Sequence, residues 1–332
     1  MEQRTERRKD RIEGFPRGWF VIGFSNEYQP GDVKSMTYFG HRLVCFRGQS
    51  GDLHVIDAYC PHLGMDLGKG KVIEDTLECP FHSWRFNGQG ECTEIPYCQD
   101  IPKRAASGSW TTTWLLQEKN GVIFLWFDPE GKAPDFEIPL LPESESEEWT
   151  YWEHSKIHIK THSREIVENV VDIAHFAPVH GTIIEEFSND FNEHKAIQYN
   201  KGVAYPRGGG KDYFDLTATY YGPGFQISVM NGFLESRLIN AHTMVDANSL
   251  DLRFGVMLKK GTDPKQTESF SKGYIDNLTT GFLEDIEIWE NKCYRDVPLL
   301  CGDDGPVMKL RKWYKQFYSE ASTAPTSNRA PA

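Results

Sequence analysis

Two short stretches decide the fold: Asp57-Ala-Tyr-Cys60-Pro-His62-Leu-Gly64 and Glu78-Cys79-Pro-Phe-His82-Ser-Trp84. Each stretch supplies one cysteine and one histidine from a turn-rich loop between two predicted strands. A [2Fe–2S] cluster with two thiolates on one iron and two neutral imidazoles on the other needs this set of ligands, and the imidazoles raise its potential above that of a four-cysteine cluster. The two stretches therefore predict a mixed-ligand iron–sulfur cluster held by a small β domain.

The same side chains have two other conceivable uses. A tetrahedral zinc ion also takes two cysteines and two histidines, but zinc fingers usually pair Cys with Cys and His with His, whereas each loop here offers one of each. The second alternative is that the four side chains bind no metal. The spacing favours the cluster, with Cys60, His62, Cys79 and His82 as its ligands.

A second metal-binding pattern, D-x-x-H-x-x-x-x-H, runs from Asp172 to His180. The apolar spacing predicts a helix over 163–176, on which Asp172 and His175 share a face. Pro178 bends or ends that helix and so turns His180 toward the same point. Two imidazoles and a carboxylate on one face of Fe(II) leave positions open for O2 and substrate, so His175 and His180 are predicted ligands of a mononuclear iron. A core or surface role is the alternative for either histidine alone.

The carboxylate ligand is predicted to come from a later helix. Asp285 lies three residues after Phe282 and four before Trp289, so it lies on the same face of that helix as these apolar residues. Glu284 and Glu287 lie on another side and are interpreted as solvated. Asp285 is therefore the predicted third ligand.

Strand-like and helical patterns divide the chain. Short apolar runs predict strands in the first half; the second half mixes strand-like alternation with helical spacing at 163–176 and 278–292, which predicts the α+β class with an antiparallel sheet and packed helices. His154, His158 and His162 would share a helical face, but their segment alternates like a strand, so they are interpreted as structural. The predicted strands are near 19–22, 43–46, 53–56, 122–127, 152–160, 213–220, 225–230, 236–245 and 250–258.

The predicted domain boundaries follow from changes in composition. A Pro- and Glu-rich connector separates the cluster domain from a mononuclear-iron domain, and a Ser-, Thr-, Pro- and Ala-rich tail is expected to be disordered. The divisions are an N-terminal segment 1–16, the cluster domain 17–128, the connector 129–148, the iron domain 149–318 and the tail 319–332.

Composition excludes several classes of function. The formal net charge of -12 disfavours nucleic acid and anionic membranes as partners, because both would repel the protein. The seven cysteines are an odd number in a chain without a secretory signal, which disfavours a disulfide framework. The strongest apolar run, Gly121 to Phe127, is too short to cross a bilayer. The sequence therefore predicts a cytoplasmic protein without a transmembrane segment.

With these motifs the chain resembles the oxygenase components of Rieske non-haem iron oxygenases. It is most similar to the steroid and sterol branch, which includes 3-ketosteroid 9α-hydroxylases and cholesterol 7-desaturases. The resemblance covers nearly the whole chain and implies a Rieske domain followed by a helix-grip-like catalytic domain. Besides the motifs above, it rests on Arg17-Gly-Trp19, Asp285-Ile-Glu-Ile-Trp289, Pro298-Leu-Leu, Asp304-Gly305 and Leu310-Arg-Lys-Trp-Tyr-Lys-Gln-Phe-Tyr318.

The resemblance also implies how the two centres work together. It assigns the cluster and the Fe(II) to the ligands already named. It further implies that Asp172 bridges an iron-ligating histidine of one subunit to a cluster histidine of its neighbour, which here would be His82. Such proteins form head-to-tail trimers, because the two centres of one subunit are too far apart for fast electron transfer.

These features predict a terminal oxygenase that uses O2 and the electrons of a separate NAD(P)H-dependent reductase or ferredoxin. The chain lacks a strand-associated G-x-G-x-x-G motif of its own. The expected substrate is hydrophobic and polycyclic, a steroid or sterol that is hydroxylated or desaturated. Alternatives are an aromatic or other small substrate that is hydroxylated or oxidatively demethylated, a Rieske electron carrier, and a zinc-stabilised protein for apolar ligands. Candidate walls for such a substrate, which could equally be plain core, are Phe214, Tyr220, Phe225, Met230 and Phe233.

Overall fold

A computed structural model describes residues 14–204, 211–232 and 235–323. These residues form two compact units. One unit is Ile22–Phe127; the other consists of the described residues up to Val21 and of those from Asp128 onward. Within the described ranges, no helix is long and apolar enough to cross a membrane.

The unit Ile22–Phe127 is built almost entirely of antiparallel strands. They form three small sheets with the orders β2-β3-β4, β5-β6-β7-β8 and β1-β10-β9. The one short helix is α1, Lys103–Ala106. The strands are β1 Gly18–Phe24, which begins before this unit, β2 Val33–Tyr38, β3 His41–Arg47, β4 Leu53–Asp57, β5 Lys71–Ile73, β6 Thr76–Glu78, β7 Arg85–Phe86, β8 Cys92–Glu94, β9 Leu116–Lys119 and β10 Val122–Phe127.

The core of this unit contains the first residue of each metal-binding loop. Cys60 and Cys79 are 2% and 1% exposed and belong to one buried cluster with Val44, Phe46 and Leu77. Because apolar burial fixes both cysteines, the loops that follow them begin from rigid positions.

The second unit has one large antiparallel sheet with helices on it. The sheet order is β11-β17-β16-β15-β14-β13-β12, so all but its first strand follow one another as a meander. Its strands are β11 Glu153–Ile159, β12 Ile183–Asn192, β13 Lys195–Ala204, β14 Asp212–Tyr221, β15 Phe225–Gly232, β16 Ser236–Asp246 and β17 Ser249–Leu258, and its helices are α2 Ser163–Val167, α3 Phe176–His180, α4 Pro264–Asn291 and α5 Val307–Lys315.

Helix α4 packs on one face of this sheet. The rings of Phe254 on β17 and Phe282 on α4 lie 4.8 Å apart, and the hydroxyl of Tyr274 on α4 lies 3.1 Å from the sulfur of Met230 on β15. Since side chains alternate along a strand, the residues two positions away from Phe254 and Met230 point to the same face. We call the face that α4 covers the inner face of the sheet. Packing against it positions the helices that carry the predicted iron ligands.

The observed architecture confirms the predicted α+β class and corrects several predictions about individual helices and strands. The helix predicted over 163–176 is broken: α2 ends at Val167, a 3-10 turn follows at Glu168–Val170, and α3 begins only at Phe176. Asp172 and His175 therefore lie in the connection between two helices and do not share a helical face.

Pro178 also acts differently from the prediction. It is the third residue of α3, where its missing N–H costs no helical hydrogen bond because the first N–H groups of a helix have no partner. The helix ends at His180, and its C-cap residue Gly181 adopts the left-handed conformation with φ 61°. His180 is thus the last residue of an intact helical turn.

Two predictions about element limits were incomplete. The later helix begins at Pro264, well before the predicted 278, and strands β12 and β13 were not predicted at all. The predicted strands of the second half at 152–160, 213–220, 225–230, 236–245 and 250–258 are confirmed. Glu320–Thr323 of the predicted disordered tail form a 3-10 turn; residues 324–332 of that tail and 1–13 of the N-terminal segment lie outside the described residues.

Candidate functional site: two groups of metal-binding side chains

The two Cys/His loops have the same backbone geometry. The N–H of Cys60 donates to the carbonyl of Met65 and its carbonyl accepts from Gly64; the N–H of Cys79 donates to Trp84 and its carbonyl accepts from Ser83. Gly64 and Ser83 occupy equivalent places and both are left-handed, with φ 76° and 58°. Each loop is therefore a tight turn that presents a cysteine and a histidine together.

The two histidines meet at the tips of these turns. The rings of His62 and His82 are 4.7 Å apart, and His62 stacks on Trp84 at 4.5 Å. The Trp84 indole N–H in turn donates to the Tyr97 hydroxyl at 2.7 Å. The Nδ1 atom of His82 is buried and finds no hydrogen-bond partner among the described residues, which is unusual for an imidazole nitrogen inside a protein.

The donor set fits a two-iron cluster better than a single zinc ion. Burial raises the pKa of the Cys60 thiol to about 12, and the nearby Cys79 acts in the same direction, so thiolates here require a cation beside them. A tetrahedral ion would draw all four donors together. Among the described residues, however, only the group of His175, His180 and Asp285 brings three or more such donors within 4.8 Å of one another.

That second group brings together the three predicted iron ligands. Asp285 comes from α4, His180 ends α3, and His175 is the N-cap residue of α3. The rings of the two histidines are 5.3 Å apart at 80°, and His180 Nε2 lies 3.2 Å from Asp285 Oδ1. Asp285 is 8% exposed, a degree of burial that an unpaired carboxylate rarely has. Two imidazoles and one carboxylate converging on a point fit Fe(II) with positions left open.

Asp172 orients His175. The Nδ1 atom of His175 lies 2.6 Å from the carbonyl oxygen of Asp172 and 3.6 Å from its Oδ2, and the His175 N–H donates to Asp172 Oδ1. Burial acts to raise the pKa of Asp172, but the hydrogen bonds to His175 lower this pKa by more, so the net shift is downward. The Asp172 side chain is still 42% exposed, which leaves one edge of the carboxylate open to another group.

His180 is held by two neighbouring carboxylates. Its Nε2 faces Asp285, and its Nδ1 lies 3.2 Å from Glu284 Oε2. The hydrogen bond to Asp285, with Glu284 in addition, raises the pKa of His180 despite its burial. Glu284, interpreted as solvated from the sequence, in fact contacts a predicted ligand.

The inner face of the sheet lies beside this second group. Phe282 is one helical turn before Asp285 and contacts Phe254, which pairs with Asn240 on β16. Asn240 in turn pairs with Gln226 on β15. Of the predicted substrate walls, Phe214, Tyr220 and Met230 lie on this face. Phe225 lies on the opposite face, because it is one residue before Gln226, and Phe233 is outside the described residues.

Buried amides are a feature of this face that sequence reasoning missed. Gln226 Oε1 accepts from Asn240 Nδ2 at 3.2 Å and from Ser228 at 3.4 Å. Asn200 is 2% exposed, and neither atom of its amide has a hydrogen-bond partner within the described part of the chain. The sequence contained an indication of this feature: polar residues at alternating positions of a strand, such as Gln226 and Ser228 in the predicted strand 225–230, point to one face of the sheet.

Two of the three histidines interpreted as structural, His158 and His162, make structural contacts. His158 lies on β11 and bonds Asp251 at 3.0 Å, while His162 caps α2 by accepting from the Arg164 N–H. His162 is thus the N-cap residue of α2.

Two family profiles match the chain. The "Rieske [2Fe-2S] domain" matches residues 18–105, and the "3-Ketosteroid 9alpha-hydroxylase C-terminal domain" matches residues 125–318. Together they cover both groups of metal-binding side chains.

Curated relatives align along almost all of the chain. The 3-ketosteroid-9-alpha-monooxygenase, oxygenase component, of Rhodococcus rhodochrous is 39% identical over 93% of this chain and 84% of its own length. The protein of the same name from Mycobacterium tuberculosis is 39% identical over 93% and 83%. Cholesterol 7-desaturase nvd 1 of Ciona intestinalis is more distant, at 30% over 93% and 70%.

Solved structures show the same fold at low identity. Dicamba monooxygenase bound to dicamba superposes with a TM-score of 0.74 over 92% of this chain and 98% of that one, at 17% identity. NdmA of Pseudomonas putida CBB5 gives 0.70 over 90% and 88%, at 18% identity. At such identities the likeness concerns the fold alone.

Proposed function

The chain belongs to the family of 3-ketosteroid 9α-hydroxylase oxygenase components, and from this premise we propose that it is the terminal oxygenase of a Rieske-type system that hydroxylates a steroid. One observation carries the proposal: His175, His180 and Asp285 converge in a chain that also holds two matched Cys/His loops. An electron carrier needs the loops but has no use for the second group. A protein stabilised by zinc alone could use the cysteines and histidines of the loops but has no use for the second group.

The proposed ligands divide between two centres. Cys60, His62, Cys79 and His82 hold the [2Fe–2S] cluster, and His175, His180 and Asp285 hold Fe(II). When bound, the cluster supplies electrons and the Fe(II) supplies the position at which O2 is activated. The protein's own task is to keep the two histidines deprotonated at the metal-facing nitrogen and to exclude bulk water from the inner face of the sheet.

We further propose that Asp172 passes electrons between subunits of a homotrimer. Its contacts with His175 and its exposed edge support this role, because one carboxylate can bond an imidazole on each side. Tyr59, Leu63, Phe81 and Tyr97 belong to the cluster unit, and each is more than half exposed. An exposed apolar surface of this kind is typical of a site that a second subunit covers. The Asp172 of that second subunit would then contact His82.

The proposed substrate is a 3-ketosteroid. Its fused rings match the apolar inner face at Phe214, Tyr220 and Met230, and its oxygen atoms match the buried amides. The unpaired amide of Asn200 supports a polar oxygen in the substrate, because a buried amide without a partner destabilises the fold unless something binds it.

The remaining parts of the proposal concern partners and organisation. The relatives are named as components, so a separate reductase is required; we propose that it depends on NAD(P)H, directly or through a ferredoxin. The cytoplasmic location and the domain limits 17–128 and 149–318 stay predictions.

Turnover with labelled oxygen tests the proposal. Purified protein, a generic reductase and NADH under 18O2 are incubated with a 3-ketosteroid, a sterol and an aromatic acid. We expect the 3-ketosteroid to gain one labelled hydroxyl oxygen, and mass spectrometry of the products measures it. Formation of a carbon–carbon double bond without label would instead favour desaturation, the reaction named in the Ciona relative.

Two other outcomes would contradict the proposal. Labelled product from the aromatic acid alone would move the protein to another substrate class. Oxidation of NADH without any modified substrate in the three arms would remove the steroid assignment.

A further inference from the structure

We infer that Glu284 is a positioning residue for the iron site: it fixes the ring of His180 so that Nε2, and only Nε2, faces the metal. The inference rests on the proposed function, since it concerns the same Fe(II) site. It adds a carboxylate that lies outside the set of three ligands and outside the Asp172 bridge.

The geometry comes from two consecutive residues of α4 that reach one imidazole from different sides. Residues that follow each other on a helix point about 100° apart. Asp285 points inward and lies 3.2 Å from Nε2 of His180. Glu284 points further outward, but its longer side chain reaches Nδ1, also at 3.2 Å. The pair therefore grips both nitrogens of the ring.

The contact determines the tautomer of His180. A carboxylate can only accept, and both nitrogens of the ring face one, Nδ1 facing Glu284 and Nε2 facing Asp285. When a metal ion takes the place between Nε2 and Asp285, Glu284 keeps the one proton of the neutral ring on Nδ1, which leaves the lone pair of Nε2 for the metal. His175 reaches the same state by another route, because its Nδ1 lies 2.6 Å from the backbone carbonyl of Asp172. Each iron histidine thus has its own oxygen acceptor, as ligating histidines generally do.

The two histidines depend on their acceptors to different degrees. A backbone carbonyl holds His175, and no substitution of a side chain removes it. His180 is the last residue of α3, and hydrogen bonds from the N–H groups of Gly181 and Thr182 back into α3 fix its backbone, whereas the acceptors beside its ring are side chains, Glu284 at Nδ1 and Asp285 at Nε2. The side chain of Glu284 is therefore the more important restraint on the ring of His180.

The test measures metal binding and not turnover. In the full-length protein with its cluster intact, Glu284→Leu removes the acceptor, Glu284→Gln keeps an acceptor oxygen but removes the charge, and Glu287→Leu places the same change on an exposed side of the same helix. We expect Glu284→Leu to weaken Fe(II) binding about 10- to 100-fold, the usual effect of losing an outer partner of a metal ligand. Glu284→Gln should retain most of the affinity, and Glu287→Leu all of it.

A spectroscopic readout separates positioning from general damage. With Co(II) in place of Fe(II), the visible bands report the geometry of the ligands; they should shift in Glu284→Leu and remain as in the wild type in Glu284→Gln and Glu287→Leu. The absorption of the cluster should be the same in all of them. Glu284→Ala, which adds no apolar bulk to the surface, should behave like Glu284→Leu.

Opposite results have distinct meanings. Equal Fe(II) affinity and equal Co(II) bands in Glu284→Leu, Glu284→Ala and Glu287→Leu would overturn the inference, while the proposed function would stand. A wild-type protein that binds no Fe(II) outside its cluster would overturn the proposed function itself.

Discussion

Replacing His175 with alanine is expected to remove the mononuclear iron and leave the cluster intact. The change deletes one of the three ligands that meet within 4.8 Å and empties the ring position beside His180. Loss of an outer partner alone costs 10- to 100-fold in activity or affinity, so loss of a ligand should lower turnover by more than about 100-fold. Iron analysis should fall by about one atom per chain, while the visible absorption of the cluster is unchanged.

The matched control is His158→Ala. This histidine lies in the same unit, on β11, and bonds Asp251, but it is not one of the proposed iron ligands. The control should keep its full iron content and its turnover. If His175→Ala also bleached the cluster, or if it kept all its iron, the assignment of the two groups to separate centres would be wrong.

The second large effect is expected from Asp172→Asn, which should keep both metals and yet stop turnover. Asparagine has nearly the same shape, and the backbone carbonyl that holds His175 is unaffected, so the iron should stay. The change removes the negative charge and one acceptor from the proposed route between subunits. We expect the rate of cluster oxidation in the presence of O2 and steroid to fall by at least about 100-fold, the upper end for an outer partner of a metal ligand.

Stopped-flow absorption of the pre-reduced cluster measures this rate directly. Asp215→Asn, an exposed aspartate on β14, is the control and should react like the wild type. A fast Asp172→Asn variant would mean that electrons reach the iron by another route. A slow variant that has also lost its iron would instead make Asp172 a structural support of His175.

Local sequence was sufficient for the metal-binding loops but not for the connection between the helices. Cys60 and Cys79 could be identified because their partners lie within five residues along the chain. Asp172 and His175 were placed on one helix because the apolar spacing continues through 163–176. The structure ends that helix at Val167 and continues with a 3-10 turn, and the segment that follows places the Asp172 carbonyl against His175.

Long-range pairing explains the other differences. Strand β12 reads Ile-Ile-Glu-Glu-Phe-Ser-Asn-Asp-Phe-Asn and lies at the edge of the sheet, so its composition gives little alternation to detect. The angular position of Asp285 on the apolar stripe of its helix predicted that it points inward, and the structure places it beside His180. Glu284 was missed because its contact depends on side-chain length and on where α3 ends, and neither appears in the pattern of one helix.

The central claim is that one polypeptide holds two different iron centres, and a single measurement tests it most directly. Anaerobically prepared protein is analysed for iron and sulfide, and its reduced form is examined by EPR, with and without nitric oxide as a probe of Fe(II). The account predicts about three irons and about two sulfides per chain, a cluster signal typical of mixed Cys/His ligation, and a separate ferrous–nitrosyl signal. A protein with about two irons and no nitrosyl signal, or with zinc in place of iron, would contradict it.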